Sequence, residues 1–226
     1  MPPKITATYK PCKDELLSLK IVLVGESKVG KTTLLNSLAK EGFPCRGYSV
    51  IIEIPVILEE AIYHSSIVGR IYDLRSQRYF PHLHSIFYNR ADGAILIFDI
   101  SDRKSLEELT KWKKLVWQVA GEIPLLLCGN KADLRQKSRG EISSAEAIKL
   151  AKNLSKKYLS VPYVELSASN HTIELSTQDN YQELLDQINP PISPYKKPFV
   201  QWLISVLERN KSKEQLKSLI ISEYNE

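Results

Sequence analysis

The chain has 226 residues, with 43% hydrophobic and 25% charged residues, and is longer than one average domain of about 150 residues. This composition is typical of a folded globular protein and excludes a largely disordered chain. The net charge of +5 is spread along the chain without a concentrated basic face, so we expect no nucleic acid partner. The three cysteines are widely spaced, which argues against a disulfide framework or a structural metal site.

The chain contains no apolar run close to the roughly 18 residues of a membrane-spanning helix. Its first residues contain neither an apolar signal-peptide core nor a glycine at position 2. No cysteine lies near the C-terminus, so no lipid anchor is evident. We therefore expect a cytoplasmic protein.

Strand and helix patterns alternate along the chain and predict an α/β fold, with a mostly parallel sheet and helices on both faces. Six strands are predicted, over residues 19–24, 50–58, 67–72, 94–100, 124–129 and 161–166. The second and third are joined by a polar turn over residues 59–66, which favours an antiparallel hairpin, and Pro55 places the second strand at the sheet edge. Helices are predicted over residues 31–40, over 104–120, and from the capping box of Ser143 and Glu146 to about residue 158.

Residues 25–32 read Gly-Glu-Ser-Lys-Val-Gly-Lys-Thr and match the phosphate-binding pattern G-x-x-x-x-G-K-[ST] between a strand and a helix. Its glycines let backbone N–H groups point at phosphate oxygens, and Lys31 reaches the terminal phosphates. The hydroxyl of Thr32 is expected to bind Mg²⁺. The predicted nucleotide contacts are Gly25, Ser27, Lys28, Val29, Gly30, Lys31, Thr32 and Thr33.

A second motif, Asn130-Lys131-Ala132-Asp133, directly follows a predicted strand. The Asp133 carboxylate can accept hydrogen bonds from N1–H and the exocyclic amine of guanine, an arrangement that adenine cannot reproduce. The aliphatic stem of Lys131 can cover the face of the base. The two motifs together predict GTP or GDP as the ligand, and Asp133 argues against an ATPase or kinase.

With these motifs, residues 18–169 resemble the Ras superfamily of small GTPases, and the Rab and Ras branches most closely. The resemblance implies a P-loop NTPase fold, the Ras-like G domain. It extends to Glu-Leu-Ser-Ala-Ser at residues 165–169, the base-contacting loop of the family. There it implies that the N–H of Ala168 meets the guanine carbonyl, with Ser167 and Ser169 beside it. Ser169 stands where the family usually has lysine.

The same resemblance assigns Asp-Leu-Arg-Ser-Gln at residues 73–77 to the second switch, where the family reads D-x-x-G-Q. It implies that Asp73 holds Mg²⁺ through a water, that Gln77 orients the attacking water, and that Lys31 assists catalysis. Ser76 replaces the glycine of that motif. In the first switch, residues 43–52 contain no threonine, so either Ser49 substitutes through a shifted loop or the switch closes differently.

The implied function is a switch in signalling or trafficking that hydrolyses GTP slowly with Mg²⁺. Its switch segments would bind an exchange factor, an activating protein and effectors. Those of the aromatic residues Tyr79, Phe80, Phe87 and Tyr88 that remain exposed would contribute to that surface. The alternative is a nucleotide-stabilised interaction module with little hydrolysis or switching. Arg46, Arg75 and Arg78 are candidates for an internal arginine finger, but solvated surface positions are the favoured interpretation.

Two segments compete for the helix that closes the domain. Residues 199–209 have a wider apolar face than residues 181–188, which favours the later segment. A membrane-surface helix is the other interpretation of 199–209, although its polar face lacks the lysines typical of such helices. We therefore predict an N-terminal extension (1–17), a G domain (18–210) with an insertion at 170–197, and a C-terminal tail (211–226).

Overall fold

The computed structural model describes residues 15–40, 45–46, 49–58, 61–73, 84–135, 142–156, 159–178 and 193–210. The strands are β1 (Glu15–Val24), β2 (Cys45–Arg46), β3 (Ser49–Leu58), β4 (Ala61–Asp73), β5 (Gly93–Asp99), β6 (Leu125–Asn130), β7 (Tyr163–Ser167) and β8 (Thr172–Ser176). The helices are α1 (Lys31–Lys40), α2 (His84–Tyr88), α3 (Arg103–Glu107), α4 (Leu109–Ala120), α5 (Ser144–Leu154) and α6 (Lys197–Asn210), with a 3₁₀ turn at Ala132–Leu134.

The strands form one sheet in the order β2-β3-β4-β1-β5-β6-β7-β8. The five central strands, from β4 to β7, are parallel, whereas β2, β3 and β8 pair antiparallel with their neighbours. The predicted α/β fold with a mostly parallel sheet is therefore confirmed. The predicted number of six strands is wrong, because the described residues contain eight. The two-residue β2 is too short to produce a sequence pattern, and β8 carries a weak apolar pattern because its residues are only partly buried or exposed.

The predicted hairpin is confirmed by the antiparallel pairing of β3 with β4. The predicted turn is too long, because β4 already begins at Ala61 and includes most of the polar residues assigned to that turn. Pro55 lies at a register shift in this pair, and β2 pairs with β3 only at Ser49 and Val50. Among the described residues, Pro55 therefore lies in a part of β3 that pairs with β4 alone, at an irregular point of the ladder where a residue without an N–H is tolerated.

Helices cover both faces of the sheet, and β1 shows how its sequence divides between them. Ile21 and Leu23 belong to an apolar cluster with α1 and α6, whereas Val22 and Val24 belong to a second cluster with α3, α4 and α5. This follows from the alternation of side chains along a strand. Each face of the central strands is therefore buried, as their continuous apolar runs predict.

The predicted helices are present with corrected ends. The segment 104–120 is divided at Glu108 into α3 and α4. The Ser143–Glu146 capping box is confirmed, with Ser143 Oγ accepting from the Glu146 N–H. The helix ends at Leu154 because Ser155 is extended and its hydroxyl donates to the Ala151 carbonyl.

The helix α6 buries Phe199, Leu203 and Val206 completely against the sheet face that α1 also covers. Its competitor, residues 181–188, lies outside the described residues, and the domain boundaries stay a prediction. Within the predicted insertion, residues 172–176 form β8. In the part of the chain that the structure describes, no helix is long and apolar enough to cross a membrane.

Candidate nucleotide site

The carboxyl ends of β1, β5, β6 and β7 meet at one edge of the sheet. The connections that leave them begin at Gly25, Ile100, Lys131 and Ala168. Ligands of open α/β sheets bind at this edge, where loops converge from several strands. Both sequence motifs lie in these loops, so the fold brings together residues that are about a hundred positions apart.

The phosphate-binding loop depends on glycine at both of its ends. Gly25 and Gly30 have φ values of +154° and +96°, in the region that other residues rarely adopt. A Cβ at Gly25 would lie 2.1 Å from the Ile97 carbonyl oxygen, and one at Gly30 would lie 2.2 Å from Asn130 Nδ2. The loop is therefore packed against β5 and β6 too closely for any side chain at these positions.

Lys31 curls back over this loop. Its Nζ donates to the carbonyl oxygens of Gly25, at 2.8 Å, and Glu26, at 2.7 Å. The predicted contacts around it differ in exposure. Val29 and Lys31 are buried, Gly30 and Thr32 are partly buried, and Ser27, Lys28 and Thr33 are exposed. The lysine is thus held above the loop whose N–H groups are expected to bind phosphate.

The side chain of Asn130 joins the phosphate-binding loop to the base loop. It is 2% exposed. Its Nδ2 donates to the Val29 carbonyl at 2.9 Å, and its Oδ1 accepts from the Ala168 N–H at 3.0 Å. The N–H that the resemblance assigned to guanine is therefore bonded to Asn130 here, and its direct role towards the base stays a prediction.

Asp133 lies opposite the loop that follows β7. Its Oδ1 accepts from Ser167 Oγ at 2.5 Å and from Ser169 Oγ at 3.5 Å, and the two hydroxyls are 3.1 Å apart. Ser167 Oγ also accepts from the Asn170 N–H. The structure thus brings the predicted base-reading carboxylate together with both serines of the base loop.

Lys131 is held by an ion pair that the sequence did not predict. It has a left-handed φ of 66°, and its Nζ lies 2.5 Å from Asp99 Oδ2. Asp99 is mostly buried at the end of β5, and its Oδ1 accepts from the N–H and hydroxyl of Ser101. The lysine stem is therefore fixed next to the base-reading turn, as a role in covering the base requires.

A buried ionic network lies beneath the base-reading turn. Glu165 is 2% exposed. Its Oε1 accepts a hydrogen bond from Arg135 Nε at 2.9 Å. Its Oε2 accepts from Tyr163 Oη at 2.7 Å and from Ser144 Oγ at 2.9 Å. Burial raises the pKa of Tyr163, and the negative charge of the adjacent Glu165 raises it further. Neither Arg135 nor the network role of Glu165 is predicted from the sequence, although the position of Arg135 two residues after Asp133 is a usable signal.

The metal side of the site is described only in part. Asp73 is the last residue of β4 and pairs with Leu23 of β1, so its backbone lies beside the start of the phosphate-binding loop. Its side chain lies outside the described residues, as do Gln77, Ser76, Arg75 and Arg78. Ser49 is the first residue of β3 and pairs with Arg46 and Tyr72. Neither interpretation of the first switch is tested by this backbone position.

The donors predicted for Mg²⁺ fit that ion. A threonine hydroxyl and an aspartate carboxylate are oxygen ligands, and Mg²⁺ is commonly held by one or two protein groups together with phosphates and waters. The described residues contain no group of three or more His, Cys, Asp or Glu side chains that could hold a metal. The glycines of the loop, where no side chain fits, likewise suit a loop whose N–H groups are expected to bind phosphate.

Comparison with known proteins agrees with this geometry. The Ras family model matches residues 20–189. GTP-binding protein YPTC5 of Chlamydomonas reinhardtii is 31% identical over 156 residues, which is 66% of this chain and 73% of that protein. Ras-related protein RabZ of Dictyostelium discoideum is 28% identical over 84% of this chain and 78% of its own length. Ras-related protein Rab-13 of Canis lupus familiaris is 33% identical over 59% of this chain and 65% of its own length. The chain belongs to the Ras family of small GTPases, which bind GTP and GDP with Mg²⁺ and hydrolyse GTP.

Proposed function

We propose that this site binds the guanine nucleotide of a molecular switch and that the motif residues have the roles their geometry suggests. The observation that carries the proposal is the Asn130 side chain, which bonds both the phosphate-binding loop and the base loop. A single buried amide thereby sets the spacing between the groups that bind the two ends of one nucleotide.

Guanine is selected by the Asp133 carboxylate. Ser167 and Ser169 donate to one of its oxygens and hold the group against the base loop. A carboxylate oriented in this way accepts two N–H groups from guanine, whereas adenine presents an acceptor at the corresponding ring nitrogen. Lys131, held by Asp99, covers the face of the base.

The phosphates are bound by the loop N–H groups and by Lys31. In the structure the ammonium donates to two neutral carbonyl oxygens of the loop. An anionic phosphate oxygen attracts the ammonium more strongly than a neutral carbonyl oxygen does, so exchange of one carbonyl for phosphate is favourable. Thr32 and Asp73 would hold Mg²⁺, which neutralises charge on the phosphate oxygens when bound.

Hydrolysis is proposed to be slow unless a partner protein assists. Gln77 would orient the attacking water, but stabilising the charge that develops on the phosphates normally requires an arginine as well. We place partner binding at α2, which follows the second switch in the chain and where Ile86 is 66% and Phe87 is 42% exposed. Exposed apolar side chains of this kind form the centres of protein interfaces. We propose that exchange factors, activating proteins and effectors use this surface in the cytoplasm.

The test is to measure GDP and GTP affinities with and without Mg²⁺, together with single-turnover GTP hydrolysis. We expect slow phosphate release by the wild type, loss of release in Gln77→Leu, and no change in the matched control Gln118→Leu, which alters an exposed glutamine on α4. Equal affinity for both nucleotides with no phosphate release would instead support the interaction module, for which the family comparison gives no support.

A further inference from the structure

The second residue of the phosphate-binding loop is a buried glutamate. Glu26 is only 9% exposed, although it lies in a loop whose N–H groups are expected to bind anions. A carboxylate at this place costs desolvation and repels a bound phosphate. It therefore needs a compensating role, and none of the roles assigned above uses it.

The Glu26 side chain bonds to a tryptophan on another helix. Trp112, on α4, donates its Nε1–H to Glu26 Oε1 at 3.3 Å. The indole is 8% exposed and belongs to the apolar cluster on that face of the sheet. A buried indole N–H needs an acceptor, and the carboxylate supplies one that is stronger than a neutral oxygen.

Glu26 also contacts the phosphate-binding lysine through its backbone, because its carbonyl oxygen accepts from Lys31 Nζ at 2.7 Å. One residue thus bonds Lys31 through its main chain and α4 through its side chain. The contact of the carboxylate with α4 therefore restrains the backbone of the residue whose carbonyl positions the ammonium.

The helix α4 leads from this contact to the proposed partner surface. It packs against α2, and Tyr88 of α2 lies in the same apolar cluster as Trp112. The exposed Ile86 and Phe87 belong to the same short helix. The contact between Glu26 and Trp112 therefore lies between the phosphate-binding loop and the surface on which partners are expected.

We propose that Glu26 is a positioning residue of the nucleotide site: its carboxylate fastens the phosphate-binding loop to Trp112 of α4 and thereby slows nucleotide release. This inference rests on the proposed guanine-nucleotide function of the loop. The hydrogen bond to the indole carries this role, whereas the charge of the carboxylate opposes phosphate binding, so a neutral acceptor oxygen at the same place should serve nearly as well. A partner that displaces α4 through α2 would weaken the same bond and accelerate release.

The experiment measures the dissociation rate of a fluorescent GDP from the full chain with Glu26→Ala, Trp112→Phe and the double variant. Each single change removes one side of the hydrogen bond and is expected to accelerate release about tenfold. The double variant should be no faster than either single variant, because the bond can be lost only once. Glu26→Gln keeps a side-chain acceptor oxygen and should restore a rate within about threefold of the wild type.

Trp117→Phe is the matched control. Trp117 also lies on α4, but its indole donates to the Ile123 carbonyl at 3.1 Å, so this variant should release GDP at the wild-type rate. Additive effects of the two single changes, or a lower melting temperature with unchanged release, would overturn the inference. A Glu26→Gln variant as fast as Glu26→Ala would overturn it as well. Failure of the wild type to bind GDP would instead refute the proposed function on which the inference rests.

Discussion

The two halves of the nucleotide site are built in different ways. On the base side, functional groups are held by other side chains, as Asp133 is by Ser167 and Lys131 by Asp99. On the phosphate side, more of the geometry comes from the backbone, with glycine at φ values that other residues rarely adopt and Lys31 bonded to loop carbonyls. GDP binding should therefore depend on single polar side chains at the base side. At the phosphate side, it should be most sensitive to atoms added at the glycines.

The strongest test of this difference is Gly30→Ala. The new Cβ would overlap Asn130 Nδ2 at 2.2 Å with φ at +96°. Strain and overlap together should cost about 4 kcal/mol. The free loop can relieve this cost by leaving the geometry that binds phosphate, so GDP affinity should fall by up to about 1,000-fold. Isothermal titration with GDP measures the effect.

The matched control for that change is Gly121→Ala. Gly121 has a φ of +80°, but a Cβ there would meet no atom within 4 Å. This variant should lose about 1 kcal/mol of stability and keep its GDP affinity. A Gly30→Ala variant that binds GDP as the wild type does would contradict the close packing of the loop against Asn130.

Removing the support of the base side should have the next largest effect. Arg135→Ala leaves the Glu165 carboxylate buried without its cationic partner. Loss of one member of a buried pair should lower the free energy of unfolding by about 3 kcal/mol. Urea unfolding in the presence of GDP measures this value.

An exposed ion pair provides the comparison for Arg135. Lys111 pairs with Glu108 across one turn, and its side chain is 76% exposed. Lys111→Ala should change stability by less than about 0.5 kcal/mol. Equal effects of the two substitutions would show that the Glu165 network does not support the site.

The agreement between sequence and structure is greatest where the signal is local. The phosphate-binding loop and Asn130 to Asp133 are contiguous motifs beside strong apolar runs, and both could be located without coordinates. The contact of Glu26 with Trp112 joins residues 86 positions apart, and no periodic pattern reveals such a pair. Likewise β8, partly exposed, carries too weak an apolar signal to be distinguished from a loop.

Replacing either serine that donates to Asp133 should have a smaller effect on GDP binding, and the two replacements should differ. Ser167 Oγ lies 2.5 Å from Asp133 Oδ1, whereas Ser169 Oγ is at 3.5 Å. Ser167→Ala should weaken GDP binding about tenfold, because a short hydrogen bond to a charged group is lost. Ser169→Ala should weaken it less than about threefold. The reverse order, measured by GDP titration, would show that Ser169 is the residue that holds the carboxylate.

The smallest expected effect is at the start of α5, next to the base side. Ser143→Ala removes the helix cap and should cost about 1 kcal/mol in urea unfolding. The pKa of Glu146 is lowered to about 2, mainly because its carboxylate accepts a hydrogen bond from the Ser143 N–H and also because it accepts one from Arg103. The stabilisation by ionised Glu146 is therefore present above its ordinary pKa of about 4.5 and is lost as the pH falls towards 2.

The control for this pH dependence is Glu146→Gln. Below pH 4.5, the stability of this variant should fall less steeply with pH than that of the wild type, because the titrating carboxyl is absent. Parallel stability curves for the two proteins between pH 4.5 and 2 would contradict the role of ionised Glu146 in the cap.

The central claim is that side chains fixed around Asp133 make the site selective for guanine. Its most direct test is competition between GDP and ADP for the wild-type protein with Mg²⁺, compared with Asp133→Ala. The wild type should prefer GDP by at least about 1,000-fold, because adenine lacks the N–H pattern that the carboxylate accepts, and the variant should lose most of that preference. Comparable affinity of the wild type for GDP and ADP would contradict the account.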